Sequence, residues 1–244
     1  LEFRRVLFRS YIDPHSGLIT MGGAIRRFDN FAMKSWLETR TGLPVSVEND
    51  ANCVLLAERW QGKAAEMANF LVLTIGTGIG GAIFCQHQLI NGARFRAGEF
   101  GYMLTDRPGG RDPRRYSMNE NCTLRVLRHR YAQHIGAPLD SVTGELIFDR
   151  YDAGDPVCQR LVAEFFNGLG HGLYNLVHIF DPQTIFIGGG VVERPGFLTL
   201  LRQHLAWFGI ADYLDTVSHG NDAGLIGAVY HFNQLYRSPD DDRH

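Results

Sequence analysis

The chain has 244 residues, 45% of them apolar and 20% charged, which fits a soluble globular protein with room for one large domain or two modest ones. Twenty-four basic and 26 acidic side chains leave a net charge of −2, which removes the electrostatic case for nucleic acid as the main partner. Cys53, Cys85, Cys122 and Cys158 form no CxxC pair, so reduced cysteines in a cytoplasmic protein are expected, and no apolar run is long enough to cross a membrane.

The first ten residues, LEFRRVLFRS, read as a translated adapter or cloning scar and are set aside. On that reading the native chain begins upstream of Tyr11. Tyr11 to Ile19 carries the turn dipeptides Asp13-Pro14 and Ser16-Gly17 between short apolar runs, so an extended segment with a reverse turn is expected. Gly22-Gly23 breaks the chain again. Phe31 to Thr41 has helical spacing, with Gly42 as its stop and Pro44 beyond. Val45 to Val47 is predicted as a short strand, and ENDAN as the corner after it. Ala51 to Trp60 is predicted helical, ending at Gly62.

Asn69 to Ile75 is an apolar run of strand length. Gly80 to Phe84 is its expected hairpin partner, and Gln86-His87-Gln88 a turn. Thr105 to Arg115 reads as a polar loop and Met118 to Tyr131 as one helix. Asp155-Pro156 is a strong helix start, followed by apolar positions at helical spacing as far as Phe180. Thr184 to Ile187 is a strand running into Gly188-Gly189-Gly190. A helix over Gly196 to Trp207 and a last one after Asn221-Asp222 complete the chain. Strands and helices alternate, so the fold class is α/β.

Four clusters carry chemistry. In Gly76-Thr77-Gly78-Ile79-Gly80-Gly81, glycine lets the backbone pass close to a ligand and adopt positive φ, and successive N–H groups can form an anion nest; an ordinary glycine-rich hairpin is the alternative. No Lys-Ser/Thr follows, so it is not a Walker A loop, and the next element reads as a strand, so it is a poor Rossmann fingerprint. Asp50 stands at a strand-to-helix corner, a common place for a functional side chain and equally a place for a helix cap. Glu99 lies between Gly98 and Gly101, a ligand contact or an exposed turn. Gly188 to Gly190 leave room for a flat ligand or form a simple strand-to-helix turn. Asn221-Asp222 reads as a helix cap, and the ten histidines show no metal spacing.

In this order and spacing, GLPVSVENDAN, LTIGTGIGGAIF, AGEFG, DPQTIFIGGGV and NDAGLIGAV resemble the ROK family of repressors and kinases within the actin-like ATPase superfamily. The resemblance runs from Tyr11 to Tyr236. It implies a ribonuclease H-like fold of two lobes around a cleft: a remnant of the small lobe over 11–49, a large lobe over 50–220, a C-terminal helix over 221–236 packing back toward the small lobe, and a polar tail over 237–244. It implies an ATP-dependent sugar kinase acting on a hexose or β-glucoside at the 6-hydroxyl, with Mg²⁺ alongside the nucleotide. Asp50 would be the general base. Asn49 and Glu99 would bind the sugar, together with Tyr102. Gly76, Thr77, Gly78 and Gly80 would form a phosphate loop, with Gly188, Gly189 and Gly190 near the adenosine. A homodimer is expected.

The chain departs from the family pattern twice. Many members follow AGE with Gly-His and a CxCGxxGC zinc cluster. Here Tyr102 follows Gly101 and only Cys122 lies in the next loop, so no structural zinc is expected and the pattern is nearer the β-glucoside kinase branch. The family's first phosphate motif, DxGGT, does not occur in these residues. The rival reading is a sugar-responsive ROK repressor with a separate DNA-binding domain; a sugar-binding cleft without catalysis is a third, against which Asp50 argues.

Overall fold

The computed structural model describes residues 11–22 and 25–236, so the terminal segments 1–10 and 237–244, and Gly23 and Ala24, lie outside the described residues. Two sheets are present among them. The smaller is antiparallel: β1 (Tyr11–Ile12), β2 (Leu18–Met21) and β3 (Phe31–Ala32) in that order. The reverse turn between its first two strands forms as expected, with Gly17 N–H donating to the Asp13 carbonyl at 2.8 Å. Helix α1 (Met33–Thr41) follows and stops at Gly42, whose φ of 66° is the left-handed C-terminal conformation.

The expected strand over 45–47 does not form; residues 44–49 have no regular structure. They pair with no strand of either sheet. Side chains hold them instead: Val45 N–H donates to Glu38 Oε1 at 3.1 Å and the Tyr236 hydroxyl donates to the Val45 carbonyl at 3.0 Å. The chain then enters α2 (Asp50–Gln61), which crosses one face of the second sheet.

That second sheet has five strands. Strands β4 (Phe70–Ile75), β5 (Ile79–Cys85) and β6 (Gln88–Leu89) form an antiparallel meander, and β7 (Thr184–Gly188) and β8 (Leu214–Thr216) join β4 in parallel, giving the order β6-β5-β4-β7-β8. The period-two alternation of a strand explains why β4 reads as unbroken apolar sequence. Phe70 and Val72 face α2, whereas Leu71, Leu73 and Ile75 face the helices on the other side. A strand covered on both faces has no polar side to show.

The second face is covered by α3 (Met118–Asn121), α4 (Leu124–Ile135), α5 (Gly144–Asp152), α6 (Pro156–Phe180) and α7 (Phe197–Leu205). The single helix expected over Met118 to Tyr131 is two helices, because Thr123 leaves helical geometry and caps α4 by accepting from Val126 N–H at 3.2 Å. Asp155 caps α6 through Val157 and Cys158 N–H, with Pro156 in the first turn, as the sequence implies. The last helix, α8 (Ala223–Tyr236), lies on α2. Gly227 is the crossing point, since a Cβ there would overlap the Cys53 carbonyl. Trp60 and Tyr230 stack beside it with ring centroids 5.4 Å apart.

Candidate active site

Helix α2 sets the first wall of a cleft. Its N-cap is Asn49, whose Oδ1 accepts from Ala51 N–H at 2.8 Å and Asn52 N–H at 3.3 Å. Capping is therefore done one residue before Asp50, and Asp50 opens the helix with its carboxylate on the cleft wall. A helix N-terminus favours a negative charge at that position. Farther along α2, the buried carboxylate of Glu58 accepts from Ser218 N–H at 2.5 Å and Ser218 Oγ at 2.8 Å. That clasp fixes the segment leading into Gly220 and Asn221, which line the cleft opposite.

The floor is the β4–β5 turn. None of Gly76, Gly78, Gly80 and Gly81 has positive φ, so the expected left-handed turn is absent, and glycine serves there by being small. A Cβ on Gly76 would meet nothing nearer than the Gly78 carbonyl at 4.0 Å, and one on Gly190 nothing within 4 Å. Gly189 differs: it has φ of 96°, and a side chain there would strike the Ile75 backbone.

Glu99 arrives from the far side of β5. Gly98 has φ of 84°, and its missing side chain leaves room for Gly81, whose carbonyl carbon would lie 2.9 Å from a Cβ. Gly101 leaves room for Asn119, which in turn accepts the Ile79 N–H at 2.8 Å. Glu99 is thus held between two close approaches, one to the Gly81 backbone and one to the Asn119 side chain and Ile79 carbonyl. Beside it stands Tyr11 of β1, whose hydroxyl is pushed up to about 12 by burial first, then by the Glu99 charge, with a hydrogen bond to Tyr102 adding to the shift.

These walls enclose a cleft of about 170 Å³. It gathers Asn49, Asp50, Gly76, Thr77, Gly78, Gly80, Glu99, Gly189 and Gly190 from the sequence-predicted set. Gly188 is not part of the lining: it ends β7 and packs on Val217 and Thr74. Tyr102 is 47% exposed and stands outside the cleft. Gly81, the last residue of the predicted glycine cluster, lines the cleft too, and sequence reasoning missed Gly220 and Asn221. Asn221 read as a helix cap; in the structure Gly220–Asp222 is a short turn feeding α8, and Asn221 lines the cleft. A second cavity of about 860 Å³ shares Gly76, Thr77 and Gly190 with the first and continues between α4, α5 and the Val191–Pro195 segment. Arg125, Arg128, Arg194 and Phe148 line it, with the Arg194 guanidinium 5.1 Å from the centre of the Phe148 ring.

The ROK family profile matches residues 6–234. The chain belongs to the ROK family. It is 59% identical to the β-glucoside kinase of Listeria innocua over 92% of this chain and 76% of that one. Among solved structures, the Lmo2764 protein of Listeria monocytogenes, for which an N-acetylmannosamine kinase activity is suggested, matches with a TM-score of 0.89 and 55% identity over 96% of this chain and 82% of that one. A Streptomyces griseus ROK glucokinase, solved with glucose and AMPPNP, shares the fold with a TM-score of 0.74 at 24% identity, over 90% of this chain and 77% of that one. The α/β actin-like architecture expected from the sequence is therefore the architecture observed, and the chain is a ROK-family sugar kinase on the β-glucoside kinase side of the family. The repressor reading has less support.

Proposed function

We propose that this ROK kinase transfers the γ-phosphoryl group of ATP to the 6-hydroxyl of a β-glucoside. The observation that carries the proposal is the cleft itself, in which the Asp50 carboxylate, Glu99 and an open glycine turn face one space. Asp50 accepts the hydroxyl proton as the sugar oxygen bonds to the γ-phosphorus and the bond from that phosphorus to the ADP oxygen breaks. Asn49 and Glu99 hydrogen-bond the sugar and hold that hydroxyl toward Asp50. Tyr102, outside the cleft and hydrogen-bonded to Tyr11, would serve a second sugar ring.

The glycine turn, with Thr77, takes the phosphates. Its fit is the open space above Gly76 and Gly190, where a phosphate replaces the missing side chains. The larger adjoining cavity, with its arginines and Phe148, has room for the nucleoside. Mg²⁺ in phosphoryl-transfer sites is held by one or two carboxylates plus the phosphates, and supplies charge neutralisation there. Asp50 and Glu99 are the carboxylates that line the cleft and would be the ones available to it, and no cluster of three metal-ligating side chains occurs among the described residues. The β-glucoside assignment rests on the 59% identity to a β-glucoside kinase.

The test is ATP consumption against glucose, N-acetylmannosamine, cellobiose and gentiobiose, in the full-length protein, with Asp50→Asn beside it. Turnover on the two disaccharides, reduced about 10²–10⁴-fold in the variant, is the expected result. Equal turnover of N-acetylmannosamine would overturn the substrate assignment, and an Asp50→Asn variant with full activity would overturn the role of the base.

A further inference from the structure

A chain of polar contacts joins the Asp50 corner to the Glu99 loop without entering the reaction. Glu48 Oε1 accepts from Asn49 N–H at 2.6 Å and from Asn52 Nδ2 at 2.9 Å. Asn52, 8% exposed, also donates from Nδ2 to Asn91 Oδ1 at 3.3 Å. The Asn91 carbonyl accepts from Ala97 N–H at 3.2 Å, and Ala97 stands two residues before Glu99. Between the two ends lies a chamber of about 10 Å³, the size of a single oxygen atom's site, lined by Asn49, Asn52, Asn91 and Glu99 with Ile12 and Phe95.

Helix capping does not require this arrangement. Asn49 already caps α2 with its own side chain, so Glu48 adds nothing to satisfaction of the helix N-terminus. What Glu48 does is fix the backbone of the capping residue and the side chain of Asn52 to one oxygen atom. Its other oxygen, Oε2, is buried and has no hydrogen-bond partner among the described residues. A carboxylate with one lone, buried oxygen is a costly way to brace a corner, and bracing is the only work its contacts perform.

Resting on the kinase reading above, we propose that Glu48, Asn52 and Asn91 are positioning residues that set the span between the base Asp50 and the sugar contact Glu99. The sugar must touch both ends of that span at once. A loosened brace therefore weakens sugar binding and misplaces the acceptor hydroxyl, whereas Gly76 to Gly78 and the nucleoside cavity take no part in these contacts.

The experiment compares Asn52→Leu, Asn91→Ala, Glu48→Leu and Glu48→Gln with the wild type, reading KM for cellobiose and for ATP separately. Asn52→Leu and Glu48→Leu are expected to raise the sugar KM about tenfold and lower kcat, with the ATP KM changed less than twofold; a geometry shift of this kind acts on acceptor alignment. Glu48→Gln keeps the acceptor oxygen and is expected to stay within about threefold of wild type. Asn52→Leu and Asn91→Ala are expected to be non-additive when combined. If Asn52→Leu does not fold, Asn91→Ala, which cuts the same brace at its other end, carries the test. A sugar KM unchanged in folded variants, or an ATP KM that rises in step with it, would overturn the proposal, as would Glu48→Gln losing as much as Glu48→Leu. Sugar affinity by calorimetry separates this from the kinase reading: wild type that binds cellobiose but consumes no ATP sinks that reading alone, and the same tenfold weakening in the variants would still support the brace.

Discussion

At Gly76 and Gly190 an added side chain would point into empty cleft, with no atom closer than 4 Å apart from the Gly78 carbonyl at that distance. At Gly98 and Gly101 it would run into protein: the Gly81 backbone in one case, the Asn119 side chain and the Ile79 carbonyl in the other. Both segments are rich in glycine, and both face the same cleft. In the first, glycine leaves room for a ligand; in the second it leaves room for the molecule's own backbone, and the ligand-facing group is the carboxylate held between. A glycine motif in a sequence does not say which of the two it is. The packing around each missing Cβ does.

The difference is open to attack from both sides. Gly101→Ala should be the most damaging change, because its Cβ displaces Asn119 and breaks the buried bond to Ile79 N–H. A loss of about 2–3 kcal/mol in denaturant unfolding is expected, and a stability within error of wild type would erase the distinction drawn here. Gly190→Ala should do the reverse. Its stability should change by less than about 0.5 kcal/mol, while affinity for an ATP analogue, read by calorimetry, falls about tenfold as the side chain takes phosphate space. Nucleotide affinity equal to wild type would remove the Gly190 end from the site.

The smallest effect probes the brace behind the second segment. Burial raises the Glu48 carboxyl above its ordinary value, opposed by the hydrogen bonds from Asn52 and Asn49 and by the nearby charge of His15. The fold thus prefers the neutral form. That preference is fully present below the unfolded-state value near 4.5 and is lost as pH rises through the raised folded value. Glu48→Gln, neutral throughout, should therefore raise Tm at pH 8 and make no difference near pH 4. A gain independent of pH would show that the carboxyl's ionisation is not what the substitution relieves.

Much of the site was legible in sequence because its groups are local: Asn49-Asp50 on one corner, Glu99 between two glycines, and a glycine turn joining two apolar strands. What was not legible depended on distant partners. β8 has three residues of mixed polarity, and only its parallel pairing to β7 makes it a strand. Residues 45–47 look like a strand and pair with none among the described residues. Helix α5 is short and opens with a glycine, and its existence depends on Thr143 accepting from Leu146 N–H and on burial of Ile147 and Phe148 against α6. Asn221 reads as a cap because Asn-Asp before a helix usually is one; only the Glu58–Ser218 clasp brings it to the cleft.

The crossing of α8 over α2 at Gly227 has a consequence for how the protein is made. Helix α2, which opens with Asp50, is made before the sheet it lies on, and the surface that covers it is the last helix among the described residues. Until the ribosome has released that segment, α2 has one face on a partly built sheet and the other in water, and residues 44–49 lack the Tyr236 hydroxyl that holds them. Vectorial folding would thus leave the Asn49–Asp50 corner loose until α8 has emerged, so a nascent chain interrupted before Ala223 would carry the sheet of the cleft without its α2 wall fixed.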